Sequence, residues 1–466
     1  MLLALLVAAA TSFLSFVVHR AFYGPLGNIP GPLICRLTSF WTYYHSYIGD
    51  ECTQINGLHK TYGSVVRIAP NEVVFSDGLA LAPVYSDKGG FMKAPCYSNF
   101  DIEGHSTIFS TLDPAHRSVR SKAVLPMFSL GNIRANGQDK VEECVARFIA
   151  RLKTEAHASR GAAGSEPVNV QNLTRALALD AVSSYLFGES YGGICEQTDR
   201  LSATAFVDAL VAVGRFFFLP NWLFLSLELA RTKLWPDQSE HESATKVDSF
   251  TEQIVREAER TDTTYQGRLL RAGISQHEVE VQCKDLIFAG TDSTGTNLAT
   301  IIWHLAKRPD ILDYNPQSVR MLDAVVKEGL RLSMANPTRF PRTVSPQGLH
   351  FKAENGPEYF IPGGTQIGLQ VFTLHLNPDT FPDPYAFKPE RWLENVSPKM
   401  QRDYIPFGLG SRQCIARNLA TTELLLATRA LAREGVLEGA KAVKERIELL
   451  EWFNSSVVGE KIEIVW

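Results

Sequence analysis

The stretch Phe407-Gly408-Leu409-Gly410-Ser411-Arg412-Gln413-Cys414-Ile415-Ala416 puts one cysteine at the end of a glycine-rich loop. Arg412 lies two residues before it, and an apolar helical run from Leu419 to Leu431 begins just after it. A thiol becomes a metal-ligating thiolate where its pKa is lowered, and a helix N-terminus with a nearby guanidinium does that. Cys414 is therefore placed to ligate a metal. Taken alone it reads equally well as a small buried thiol beside a turn, which is what most lone cysteines are. The pattern around it separates the two readings.

That pattern, Phe-x-x-Gly-x-Arg-x-Cys-x-Ala from Phe407 to Ala416, resembles the haem-binding loop of the cytochrome P450 superfamily. Three other motifs of that family occur in the family's order: Ala289-Gly290-Thr291-Asp292-Ser293-Thr294, Glu328-Gly329-Leu330-Arg331, and Phe387-Lys388-Pro389-Glu390-Arg391-Trp392. One such motif is weak; four in order are strong. The resemblance implies a mainly α fold with a small β region (α+β). It implies an N-terminal membrane anchor over residues 1–20, a proline-rich hinge over 21–32 and a single large catalytic domain over 33–466.

Composition agrees with a large enzyme. A chain of 466 residues with 45% hydrophobic content can bury a sizeable core. A formal charge of -4 leaves no basic excess for a nucleic-acid partner. The seven cysteines are scattered, odd in number and free of any C-x-x-C pair, so neither a disulfide framework nor a structural zinc site is expected.

Residues Met1 to Val18 carry no charge and precede His19-Arg20. As a helix, 18 residues at about 1.5 Å each reach roughly 27 Å, close to a bilayer's hydrocarbon core of about 30 Å. A cleaved signal peptide is the rival reading, but no basic segment precedes the apolar run. Arg20 and Arg36 follow it, so the positive-inside rule puts the body on the cytosolic face of the endoplasmic reticulum membrane. The sequons at Asn172, Asn395 and Asn454 are then chance matches. Gly24-Pro25 and Ile29-Pro30-Gly31-Pro32 form a stiff spacer, similar to the family's hinge.

Further on, Tyr62 to Ser76 reads as a β-hairpin around Pro70-Asn71. Asp113-Pro114 caps a helix through Met127, on which His116 and Arg120 share a face. A surface pair is the commoner meaning of two such residues. The resemblance gives them a haem propionate, although a tryptophan is more usual at the first position. Residues 158–167 read as a loop by composition. From Phe206 to Leu229 the chain is unusually apolar, either core or, by resemblance, a substrate lid whose tip dips into the membrane.

From Gln276 to Lys307 the pattern is one long helix with Ala289-Gly290-Thr291-Asp292-Ser293-Thr294 inside it. Glycine costs about 1 kcal/mol there, and Ser and Thr compete for backbone hydrogen bonds, so a functional bend is expected. By resemblance Asp292 and Ser293 are the acid and alcohol that relay two protons to oxygen, and Ala289 and Gly290 leave room above the iron. Serine stands where threonine is usual, so Thr294 is a candidate to share the relay. An aspartate satisfying a helix kink is the plainer alternative.

Asn315-Pro316 reads as the start of a helix bearing Glu328 and Arg331. The resemblance joins these two to Arg391 in a buried triad that supports the cysteine loop. Thr338 to Arg342 would pass beside the haem, with Arg342 and Arg412 on its propionates and Phe407 shielding the thiolate. One departure stands out: only 19 positions (328 minus 309) separate Pro309 from Glu328, where the family has a further helix and loop. Haem retention and reductase docking are what this shortening would affect.

The resulting expectation is a membrane-anchored haem-thiolate monooxygenase acting on an apolar small molecule, similar to fungal members of secondary metabolism. Cys414 would ligate the iron of haem b, and NADPH would act indirectly through a separate reductase, with cytochrome b5 a further partner. The chain has no dinucleotide-binding or nucleophile-elbow motif of its own. An O2-independent haem-thiolate isomerase, dehydratase or peroxide user is the second reading, against which the Asp292-Ser293 pair argues. A non-catalytic membrane protein that has lost stable haem is the third.

Overall fold

A computed structural model describes residues 2–161, 166–197, 200–258, 263–312, 318–354 and 356–466. Helices dominate it, and short strands gather into small sheets. The architecture is built around the Gln276–Lys307 helix, which is continuous over 32 residues and buried along most of its length. Ser275 accepts a hydrogen bond from the Glu278 N–H and so caps its start.

Against this central helix lies Val170–Val182, whose every residue except Asn172 is buried. Two glycines explain the closeness of the pair. A Cβ on Gly290 would meet Val182 Cγ2 at 2.8 Å, and one on Gly295 would meet the Arg175 Cα at 2.9 Å. The reading that Gly290 makes room above a metal therefore needs a second half: it also lets two helices approach. The Arg417–Arg433 and Ser318–Leu332 helices pack on the central helix from the other side.

The hairpin forms from Val65–Ala69 and Glu72–Phe75, buried on both faces. It is the edge of a five-stranded sheet continuing through Gln366–Leu369, Arg342–Thr343 and Met92–Lys93. Arg339, just before this sheet's fourth strand, is fully buried between Glu51 and Glu72.

Several boundaries differ from the sequence expectation. The first helix runs Leu2–Phe22, two residues past the expected anchor. Among the described residues no helix is long and apolar enough to cross a membrane. The hinge is packed: Ala21, Leu26 and Ile29 are buried, and Arg67 donates to the carbonyls of Ala21, Leu26 and Pro70. Arg36 holds the carbonyls of Gly27 and Ile29. The helix after Asp113 ends at Val124 and tightens into a 3-10 turn to Phe128. Residues 158–161 of the expected loop at 158–167 are helical instead, as the last turn of Gln138–Gly161. Asn315-Pro316 lies outside the described residues.

The apolar stretch from Phe206 divides in two. Phe217 and Phe224 are buried, whereas Trp222 is 69% exposed and Leu225 and Leu229 are exposed as well. Core and exposed apolar surface are thus both present, on opposite faces of one segment.

Candidate active site

The cysteine loop is fixed by backbone geometry. Gly408 and Gly410 have φ of +68° and +75°, a region L side chains rarely enter. A Cβ on Gly410 would lie 1.8 Å from the Tyr85 carbonyl oxygen, so glycine is required twice over. The Cys414 N–H donates to the Phe407 carbonyl at 2.9 Å, and Ser411 Oγ donates to the Gly89 carbonyl. Cys414 is reached by solvent through a cavity of about 280 Å³ on whose wall it sits.

The expectation of a lowered cysteine pKa is corrected here. Burial raises the Cys414 thiol, and the Ala416 N–H and Arg417 offset this only in part. Arg412 is turned away, its Nη1 donating to the Thr111 carbonyl at 3.1 Å. A bound metal cation would favour the thiolate against this shift, which is the ordinary behaviour of a coordinating thiol.

Four cations line the same cavity: Lys93, Arg117, Arg342 and Arg412. Lys93 and Arg342 are direct cross-strand partners in the sheet. Like charges placed opposite each other destabilise a sheet unless an anion lies between them. Arg342 Nη1 donates to Tyr97 Oη, and the Lys93 ammonium donates to the Phe109 carbonyl while lying over the rings of Tyr97 and Phe109. Burial, then Arg342, Arg412 and Arg117, pushes the Lys93 pKa well below its usual value. Burial, then Arg117 and Arg342, lowers Arg412 to about 10. Asp285 also lines this cavity, and burial raises its carboxyl to about 6. Four cations with one nearby acid form a set suited to a ligand bearing carboxylates.

His116 and Arg120 are not part of that wall. Arg120 binds Glu278 through Nε and through Nη2 at 2.8 Å, and His116 Nε2 lies 3.6 Å from the same carboxylate. Burial and Arg120 lower the His116 pKa. Arg117 faces the cavity instead. The helix buries Ser121 and Val124, and Arg117 lies at the middle of the face these two define. Lys93, Tyr97 and Arg117 were absent from the sequence expectation. The signal that could have found Lys93 is a lone cation in the apolar run from Phe91 to Phe100.

On the opposite wall the central helix contributes Ala289, Gly290, Ser293 and Thr294. Ser293 Oγ donates to the Ala289 carbonyl at 3.0 Å. Asp292 points elsewhere: it is 2% exposed, does not line the cavity and accepts from Arg175 Nη2 at 2.6 Å. Burial raises its pKa against the pull of Arg175. Arg175 continues to Asp208, which also accepts from Arg200. The remaining lining is largely apolar and aromatic, including Phe109, Phe288, Phe340 and Phe453, the first and last of them packed on Tyr97, with Asn297, Ser333, Asn336 and Glu423 among its polar groups.

Behind the loop, Glu328 is fully buried and accepts from Arg331 Nε and Nη2, Arg391 Nε, Trp392 Nε1 and the Lys388 N–H. Buried His375 ties this cluster to the loop. Its Nε2 accepts from the Ile405 N–H at 3.0 Å, so Nδ1 carries the proton donated to the Arg331 carbonyl. Burial lowers His375 to about 3, which keeps the imidazole neutral.

A haem fits these residues: an accessible sulfur on one wall, a cationic rim for two carboxylates, and an apolar chamber for the macrocycle. A family model described as Cytochrome P450 matches residues 29–314 and 315–434, and the two matches meet inside the shortened segment. The chain is 37% identical over 485 aligned residues to the cytochrome P450 monooxygenase mfmF of Annulohypoxylon moriforme, covering 97% of each chain. It is 27% identical to the cytochrome P450 monooxygenase tazI of Aspergillus terreus, over 88% of this chain and 87% of that one. It is also 26% identical to the cytochrome P450 monooxygenase poxM of Penicillium oxalicum, over 90% of this chain and 87% of the other. The chain belongs to the cytochrome P450 family and is an oxidoreductase of its monooxygenase type.

Proposed function

We propose that this P450 is a membrane-anchored haem-thiolate monooxygenase that inserts one atom of O2 into an apolar small molecule, a secondary metabolite. The observation that carries the reading is the convergence on one cavity of Cys414, four cations and the Ser293-Thr294 hydroxyls. Cys414 would ligate the iron of haem b, and Arg342, Arg412, Arg117 and Lys93 would hold its carboxylates. Bound haem supplies activation of O2, with the second oxygen atom leaving as water.

The protein's own part is enclosure and placement. Phe407, Ile415 and Leu419 keep water from the sulfur side. Ser293 and Thr294 present hydroxyls for cavity water, and the Asp292-Arg175 pair holds the central helix against its neighbour. The aromatic lining suits an apolar substrate. Electrons would come from an NADPH-dependent reductase, with cytochrome b5 as a further donor, since the sequence carries no dinucleotide-binding loop.

We further propose insertion in the endoplasmic reticulum membrane through residues 1–20, with the body cytosolic. The uncharged run before Arg20 and the exposed Trp222, Leu225, Leu229 and Phe40 support it. Deleting residues 1–20 should move the protein from the membrane to the soluble fraction; a full-length chain already soluble overturns the anchor.

The decisive experiment is the spectrum of the dithionite-reduced protein under carbon monoxide. A strongly red-shifted Soret band, lost in Cys414→Ala, is expected. Apoprotein, or the band of haem with a neutral ligand, overturns the reading.

A further inference from the structure

Among the described residues two acids line the cavity, Asp285 and Glu423, and they stand on different walls. Glu423 lies on the Arg417–Arg433 helix that follows Cys414, near Leu419 and Ala420 of the same lining. With haem on Cys414 that wall is its sulfur side, out of a substrate's reach. Asp285 lies on the central helix, four residues before Ala289 and eight before Ser293. All three line the cavity, as spacings of four and eight place them near one helix face. Four residues are about 6 Å of helix. Asp285 is therefore one turn from Ala289 and Gly290, the pair that the family resemblance sets above the iron. Asp292, the third acid of this region, is spent on Arg175 and does not line the cavity.

Asp285 is 9% exposed, and among the described residues it forms no ion pair. The cation next to it in sequence, Lys284, pairs with Glu103 and Asp248 instead. Lys93 donates to the Phe109 carbonyl and lies over the rings of Tyr97 and Phe109. Burial raises the Asp285 carboxyl to about 6; a side-chain hydrogen bond from Thr107 and the charge of Lys93 offset this only in part, and Asp101 adds to it. A buried carboxylate so little compensated is costly unless a cation meets it. Phe288, three residues along the helix, and Phe109, two residues beyond Thr107, bring aromatic rings to the same part of the lining. An uncommitted carboxylate beside aromatic rings in an apolar chamber suits a cationic nitrogen, which the acid pairs with and the rings attract.

We infer that Asp285 is a substrate-anchoring residue, which pairs with a cationic nitrogen on an otherwise apolar substrate one helical turn from Ala289 and Gly290. The inference rests on the monooxygenase reading, in which the haem carboxylates neutralise the cationic rim and leave Asp285 as the acid that faces substrate. It narrows the substrate class to apolar molecules bearing a basic amine. An anchor at one end of such a molecule also fixes which carbon comes to lie at Ala289 and Gly290, so Asp285 bears on the position of oxidation as well as on affinity.

The test uses full-length holoprotein and three probes of one shape: phenylbutyltrimethylammonium, the hydrocarbon in which a tert-butyl group replaces its trimethylammonium, and phenylpentanoate. The quaternary nitrogen keeps its charge at every pH and has no lone pair for iron. Wild type, Asp285→Asn, Asp285→Glu and Glu423→Gln are first checked for the red-shifted band under carbon monoxide, with Asp285→Ser in reserve should the asparagine variant lose it. Dissociation constants are then read from the ferric Soret band and, independently, by equilibrium dialysis. The ratio of cation to hydrocarbon affinity should fall roughly tenfold or more in Asp285→Asn, stay close to wild type in Asp285→Glu, and be unchanged in Glu423→Gln. Phenylpentanoate should bind more tightly to Asp285→Asn than to wild type. An unchanged ratio in Asp285→Asn overturns the inference, as does an equal fall in Glu423→Gln. Asparagine still offers Thr107 a hydrogen-bond acceptor, so a loss of affinity for cation and hydrocarbon alike would mean that Asp285 only holds the Thr107 segment, which also overturns it. A wild type without the red-shifted band removes the monooxygenase reading and this inference with it; a wild type with the band and an unchanged ratio in the asparagine variant removes this inference alone.

Discussion

Glu328 and Glu423 are both buried glutamates near the cysteine loop, one behind it and one facing the cavity. Glu328 accepts five hydrogen bonds, from Arg331 twice, Arg391, Trp392 and the Lys388 backbone. Glu423 accepts none. The same contrast holds for the cations. Arg331 is spent on Glu328 and on the carbonyls of His375 and Pro384, whereas Lys93 and Arg342 sit opposite each other in a sheet with no carboxylate between them. A region that satisfies its polar groups internally is scaffold. A region that leaves charges and acids unsatisfied is shaped for something that is not protein.

The sharpest way to break the comparison is at the scaffold. Glu328→Gln should leave the Arg331 guanidinium, wholly buried, without its counter-charge, at about 3–5 kcal/mol. The expected result is a chain that neither retains haem nor melts cooperatively. A variant with wild-type haem content would mean that the cluster is not what holds the loop. Next in size is Gly410→Ala, where positive φ and the Tyr85 carbonyl both exclude a side chain. At about 1–3 kcal/mol for the backbone alone, the red-shifted band should be weak or converted. An unchanged spectrum would show that the loop relaxes without moving Cys414.

These two regions also differ in how far they could be read from sequence. Arg391 was joined to Glu328 only through the family resemblance, whereas Cys414, Arg412 and Phe407, and Glu328 with Arg331, lie in short contiguous patterns, where spacing along the chain already fixes proximity. The central helix could be read for the same reason, since its period runs unbroken from Gln276 to Lys307. Of the cationic rim, Arg342 and Arg412 came from the family resemblance, whereas Lys93 and Arg117 could not be read. Lys93, Arg117 and Arg342 come from a strand, a helix and a second strand far apart in sequence, and only the sheet register and the helix's rotation bring them together. His116 and Arg120 share a face, but spacing alone does not say which way that face turns. Asp292 and Ser293 are adjacent, so on a helix they point about 100° apart, which is why one meets Arg175 and the other the cavity.

The rim itself gives the third test. Arg117→Ala and Arg120→Ala remove the same charge from positions three apart on one helix. Loss of a charge-assisted hydrogen bond, worth about 1.5–3 kcal/mol, should weaken haem retention in Arg117→Ala by roughly tenfold or more. Arg120→Ala should instead lower stability through the unpaired Glu278 while haem affinity stays near wild type. Haem transfer to an acceptor protein measures the first effect and thermal melts the second. The opposite pattern would return the propionate role to His116 and Arg120.

The smallest effect is the one that separates Glu423 from Glu328 most directly. A carboxyl whose folded pKa lies above its unfolded value of about 4.3 binds more protons folded than unfolded in the interval between them. Stability therefore falls as pH rises through that interval. For Glu423 the interval opens upward, because burial raises it with nothing to offset the shift. Glutamine at 423 has no proton to lose, so the stability difference between Glu423→Gln and wild type should grow with pH, by about 1.4 kcal/mol per unit until the folded pKa is reached. Melts in the acidic range should nearly coincide, and melts at neutral and alkaline pH should favour the variant. A gap that stays constant with pH would mean that Glu423 is ionised and held by a donor. The two glutamates would then be alike.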